Sequence, residues 1–147
     1  MIQPRPTTFF IDRCLGGKHI AEVLRNAGIT VEIHDDHFDK GASDVEWLPN
    51  VGQKGWIVLT KDARIGKRPL EKIAVANARI KMFTLASQNL SGADMAEIFL
   101  KAVTSMQEFV RKYPAPFIAK IYRDGRIDMW KDSQTLLMEL TQPENSD

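Results

Sequence analysis

A single cysteine, Cys14, in 147 residues excludes an intrachain disulfide and any zinc cage built from cysteine. No apolar run approaches the ~18 residues that a membrane-spanning helix needs. Internal repeats and low-complexity tracts are absent, so neither a solenoid nor a biased tail is expected. The segment Met1 to Thr8 is polar and carries two prolines, without the apolar stretch of a secretory signal. Hydrophobic residues at 44% and charged residues at 27% exclude wholesale disorder. These absences lead to the expectation of a soluble, cytoplasmic chain with no membrane partner. Its length fits one domain over residues 1–141, with 142–147 as a frayed acidic tail.

The formal net charge of +1 hides a segregation of charge. Residues 32–46 hold six acids against Lys40, whereas residues 54–81 hold eight bases against Asp62 and Glu71. In a compact domain these clusters would suit an acidic, metal-loaded centre beside a phosphate-binding surface.

Strand and helix patterns alternate along the first two-thirds of the chain. Thr7–Ile11, Thr30–His34, Trp56–Thr60 and Ile80–Leu85 read as strands, rich in β-branched and aromatic residues. Between them, Lys18–Ala27 has helical spacing and a stop at Gly28, and Pro69 suits a first helical position. Ser43-Asp44-Val45-Glu46 fits a capping box opening a helix to about Lys54, with Pro49 expected to kink or split it. Ser91 begins a long amphipathic helix, and Phe117–Tyr122 and Ile127–Trp130 flank the hairpin signal Asp124-Gly125. Both faces of the first hairpin strand carry apolar groups. The hairpin must pack on the domain, extend the sheet edge or pair with another chain, and it is expected to contribute to a self-association or partner-binding interface.

Such alternation implies a mostly parallel sheet between helical layers, and ligands in these sheets bind outside the carboxyl ends of the strands. Asp12 follows the first strand; Lys61, Asp62 and Arg64 follow the third. Asp44 begins the helix beyond the second. Carboxylates converging on one edge repel one another unless a cation lies between them, and an all-oxygen set suits Mg²⁺ or Mn²⁺.

The series Phe10-Ile11-Asp12, Leu24-Arg25-Asn26-Ala27-Gly28, Gly41-Ala42-Ser43-Asp44-Val45-Glu46 and Gly55-Trp56-Ile57-Val58-Leu59-Thr60-Lys61-Asp62 resembles the PIN-like nuclease superfamily. It is most similar to the compact bacterial branch that includes VapC-type toxins. The resemblance spans about residues 7–90, leaving 91–131 as a long helix and hairpin. It implies a three-layer α/β sandwich and a Mg²⁺- or Mn²⁺-dependent endoribonuclease, the toxin of a toxin–antitoxin pair. Its substrate would be RNA and its partners a cognate antitoxin or a second copy. It also implies that Asp12, Asp44 and Asp62 hold the metal, with Glu46 as a fourth ligand or water orienter. Lys61 and Arg64 would then position substrate phosphate. Where many members have a fourth acid, this chain has Ser87-Gln88-Asn89, and Asp94 is placed to cap the helix from Ser91. A catalytically silent module that binds nucleic acid or protein is the alternative. His34 and His37 as zinc ligands, and Cys14 as a nucleophile, are weaker readings than packed or solvated side chains.

Overall fold

In the computed structural model, which describes residues 7–16 and 18–141, every strand joins one sheet. The chain runs β1 (Thr8–Ile11), α1 (His19–Asn26), β2 (Thr30–Ile33), α2 (Asp44–Gln53), β3 (Ile57–Thr60), α3 (Pro69–Asn77) and β4 (Lys81–Leu85). It continues through α4 (Gly92–Lys112), β5 (Phe117–Ile121), β6 (Ile127–Lys131) and α5 (Ser133–Thr141). The sheet order is β2-β1-β3-β4-β5-β6, parallel except for β6. The tail expected over 142–147 lies outside the described residues.

Side-chain alternation divides this sheet between two cores. Phe9, Ile11, Leu59 and Phe83 face α1 and α4, where Ile20, Leu24, Phe99 and Met106 cover them. Phe10, Val58, Met82 and Ile118 face the opposite layer, meeting Trp47 and Val51 of α2, Val75 of α3 and Leu136 of α5. The expected three-layer α/β sandwich is therefore present. Helix ends follow local chemistry. Gly28 takes φ +85° after α1, a conformation that costs glycine no Cβ clash. Ser43 and Glu46 cap α2 reciprocally, as Ser91 and Asp94 cap α4.

Two expectations need correction. Helix α2 is not split at Pro49 but runs through it. The proline removes only the N–H that would have bonded the Val45 carbonyl, and both residues lie on the exposed side, where water can replace it. Helix α5 was missing from the sequence reading. Asp132 starts it, its Oδ1 accepting from the Thr135 N–H at 2.8 Å. The helix then buries Leu136 and pairs Glu139 with Lys72 of α3 at 2.9 Å.

The hairpin extends the sheet beside β4. Phe117, Ala119 and Ile121 enter the α4-side core and Ile118 the other, so the apolar faces that suggested an outside partner are covered within the chain. No helix among the described residues is long and apolar enough to cross a membrane.

Strand β1 lies between β2 and β3, so the chain leaves it in opposite directions on successive crossovers. Such a reversal opens a crevice at the carboxyl ends of β1 and β3. Asp12 and Asp62 are placed there.

Candidate acidic active site

Asp12 leaves β1 in extended conformation, its N–H still bonded to the Leu59 carbonyl of β3 at 3.0 Å. It is only 6% exposed. A buried carboxylate needs donors, and Asp12 Oδ2 has two: Thr60 Oγ1 at 2.8 Å and the Cys14 thiol at 3.3 Å. Burial, reinforced by the Asp12 charge, pushes the Cys14 thiol up to about 12, so it remains a neutral donor. That agrees with the packed-thiol reading and opposes a nucleophilic one. The same Thr60 oxygen accepts the Asp62 N–H at 3.1 Å, linking the ends of β1 and β3 through one hydroxyl.

Asp62 caps the short turn after β3. Its Oδ1 accepts from the Arg64 backbone N–H at 3.1 Å and from Arg64 Nε at 3.2 Å. Arg68 Nη1 lies 3.7 Å from the other oxygen. Asp44 enters from the first turn of α2, where its Oδ1 accepts the Trp47 indole N–H at 3.1 Å. Burial and the charges of Asp12, Glu71 and Asp62 push Asp44 up to about 6. The indole hydrogen bond opposes that rise only in part.

Of the three acids expected from sequence, Asp12 and Asp62 thus both act on Asp44, and a fourth acid, Glu71, does so too. Glu71 was missed because Glu in the first turn of a helix reads as an ordinary complement to the helix dipole. The available signal was its place three residues after Arg68. Arg68 Nη1 bonds Glu71 Oε1 at 3.0 Å while remaining near Asp62. Glu46 does not join this group. Its carboxylate accepts the Ser43 N–H at 3.3 Å in the α2 capping box, and it is not among the charges that act on Asp44.

Lys61 and Arg64 line a cleft of about 470 Å³ with Cys14, Asp62, Ala86 and Gln88. Gln88 stands where a fourth acid was sought, and its Nε2 reaches the Lys61 carbonyl at 3.5 Å. The histidines are occupied elsewhere: His34 Nδ1 lies 2.9 Å from Asp35, and His37 Nε2 lies 2.7 Å from Glu32.

The donor set is all oxygen, which suits a hard divalent cation. Among the described residues no three His, Cys, Asp or Glu side chains close around a single point. Mg²⁺ seldom requires such a cage, since it keeps several waters and takes one or two carboxylates. The crowding that raises Asp44, and a buried Glu71 oxygen with no hydrogen-bond partner among the described residues, are what an added cation would relieve.

Comparison with known proteins agrees with this architecture. The Mycobacterium tuberculosis (strain ATCC 25618 / H37Rv) protein named "Putative ribonuclease VapC45" is 25% identical over 117 residues, covering 77% of this chain and 84% of that protein. No solved structure gives a significant match. A family model described as PIN like domain matches residues 7–87, more than half of the chain, from β1 past the end of β4. That segment supplies Asp12 and Asp62 just beyond β1 and β3 and Asp44 and Glu71 from the first turns of α2 and α3, and the chain belongs to the PIN-like domain family.

Proposed function

We propose that this protein is a divalent-metal-dependent endoribonuclease, the toxin of a bacterial toxin–antitoxin pair. The observation that carries the reading is that Asp12 and Asp62 follow adjacent parallel strands, with the charges of both acting on Asp44, beside a cleft lined by Lys61, Asp62 and Arg64. RNA as substrate, and an antitoxin as partner, rest on the likeness to a protein named as a ribonuclease of the VapC series.

In this reading Asp12, Asp44 and Asp62 hold Mg²⁺ or Mn²⁺. When bound, the metal supplies an activated water and neutralises charge developing on phosphorus. The chain's own groups do the rest. Thr60 and Cys14 fix the Asp12 carboxylate through Oδ2, leaving Oδ1 without a side-chain donor among the described residues. Trp47 orients Asp44 in the same way. Lys61 and the largely exposed Arg64 place the RNA backbone, a task that contributes affinity and little base selectivity.

The test incubates the full chain with RNA in Mg²⁺ or Mn²⁺ and, separately, in EDTA. Metal-dependent fragments are expected, together with a rise in melting temperature on adding metal. A cation at 100 times its Kd stabilises the folded state by about 2.7 kcal/mol. RNA bound but uncleaved, with melting unmoved by millimolar Mn²⁺, would instead support a silent nucleic-acid-binding module. Gln88 standing where many relatives carry an acid is the observation that favours this second reading.

Alanine at Lys61 or Arg64 is expected to weaken RNA binding to a similar degree for unrelated sequences. Each loss should reduce the salt slope of log K by about 1. Titrations at several salt concentrations on two unrelated RNAs would check this; a loss confined to one RNA would assign base contacts to these side chains.

A further inference from the structure

We propose that Trp130, in the C-terminal hairpin, is a positioning residue for the acidic site. Its ring seats the turn Ala63–Gly66 that follows Asp62, and so fixes where Asp62 and Arg64 present their charges. The inference rests on the metal-dependent reading above, and it ties that site to a strand beyond the matched segment 7–87.

The contact is made at Gly66. A Cβ built there would lie 2.5 Å from Trp130 Cζ3, 2.6 Å from Cη2 and 3.0 Å from Cε3, nearer than a side chain can come to a ring. Gly66 does not have a positive φ, so its backbone would accept any residue, and only the ring against it demands glycine. The ring is held from its own side as well. Between Ile118 and Ala119 the β5–β6 register steps from Lys131 to Met129, leaving Trp130 as the extra residue of a β-bulge, a device that re-aims a side chain. Trp130 packs on the α2–α3-side core while Met129 packs on the other. Lys120 Nζ lies 4.3 Å from the Trp130 ring and Lys131 Nζ 5.7 Å, adding cation–π attraction. A ring so enclosed does not swing aside cheaply.

What the ring fixes at Gly66 is passed back along the turn. Ile65, beside Gly66, is fully buried in the core on which Trp130 packs. The Ile65 N–H bonds the Asp62 carbonyl at 3.2 Å, and the Arg64 carbonyl accepts the N–H groups of Lys67 and Arg68 at 2.8 and 3.0 Å. The end of the turn therefore sets its beginning, where the Arg64 N–H and Nε both bond Asp62 Oδ1. Asp62, Ala63 and Arg64 are also what this segment contributes to the cleft. A shift at Gly66 would thus move the carboxylate that holds metal and the guanidinium that places phosphate, without touching either.

The test measures Mn²⁺ affinity by calorimetry, kcat/KM for RNA cleavage and melting in EDTA on the full chain. Its variants are Gly66→Ala, Trp130→Phe, the two combined, and Met129→Ala, with cleavage read at a temperature where all are folded. Gly66→Ala should lower Mn²⁺ affinity and kcat/KM about tenfold or more, the scale of a small misplacement of reacting groups. Adding Trp130→Phe should restore most of that loss, because phenylalanine lacks the atoms the new methyl would meet; such coupling is what contact between the two positions predicts. Met129→Ala removes packing from the opposite face of β6, and should lower melting temperature while keeping affinity and kcat/KM within about twofold of the parent. If Gly66→Ala does not fold, Trp130→Leu takes its place, and it should lose more Mn²⁺ affinity than Met129→Ala. Affinity and kcat/KM within about twofold of the parent in Gly66→Ala or its substitute, or losses that Met129→Ala reproduces, would make Trp130 a packing residue only; the proposal then falls and the metal-dependent reading stands. A parent chain that binds no Mn²⁺ overturns both.

Discussion

Asp12→Asn is expected to fold and to lose metal-dependent RNA cleavage by on the order of 10²- to 10³-fold, the scale of removing one group that stabilises transition-state charge. Folding should survive because asparagine keeps an acceptor oxygen for Thr60 and Cys14, which both bond Oδ2 of the native side chain. Removing one charge from a crowded centre also relieves Asp44, on which Asp12 is the strongest neighbouring charge. Melting in EDTA should therefore match or exceed that of the parent. The rise in melting temperature on adding Mn²⁺ should disappear. A variant that cleaves within tenfold of the parent would remove Asp12 from the chemistry.

The largest stability effect is expected at Trp47, which serves both the core and the site. It is 1% exposed, its ring lies 5.1 Å from Phe10 by centroid, and its indole donates to Asp44. Trp47→Ala should cost about 3–5 kcal/mol, because the surrounding core cannot collapse into the volume removed. For a chain of this length that is a fall of roughly 6–20 °C in melting temperature. Trp47→Phe separates the two roles, keeping most of the packing but losing the donor. Its consequence concerns pH. Asp44 ionises near pH 6 in the folded, metal-free protein and near 3.8 when unfolded. Between those values the folded state binds the extra proton, so stability falls as pH rises through the window and levels off above it. Losing the indole donor should extend that fall to higher pH, whereas Asp44→Asn should abolish it. Denaturant titrations in EDTA at pH 4, 5, 6 and 7.5 would decide; an unchanged profile in Asp44→Asn would locate the dependence elsewhere.

Most of the fold was legible because it is written in local patterns. The runs at 8–11, 57–60 and 81–85 are mostly β-branched, aromatic or otherwise apolar over a strand's length, and Gly28, Pro69 and the two capping boxes mark helix boundaries by backbone chemistry alone. Helix α5 escaped because its amphipathic signal is weak. Only Leu136 is fully buried, and Met138 and Leu140 remain exposed. The hairpin strands were legible, but their place beside β4 was not. An apolar strand announces that it needs cover and does not say whether the cover comes from its own chain.

The same division holds at the site. The placement of Asp12 and Asp62 was readable because they follow two strands of a parallel sheet, so chain direction alone puts both at its carboxyl edge. Asp44 was readable from its place at a helix start. Glu46 and Glu71 show what a linear pattern leaves open, since each is an acid in the first turn of a helix. Only the packing of α2 and α3 on the sheet separates them. Glu46 turns back to its own N-cap, while Glu71 meets Arg68 and lends its charge to Asp44. The sequence by itself determined which residues end strands and begin helices, because hydrophobic period and capping act over a few neighbouring residues. Tertiary structure decided which of those acids share one charge environment, because Coulomb interaction depends on distance through space and not along the chain.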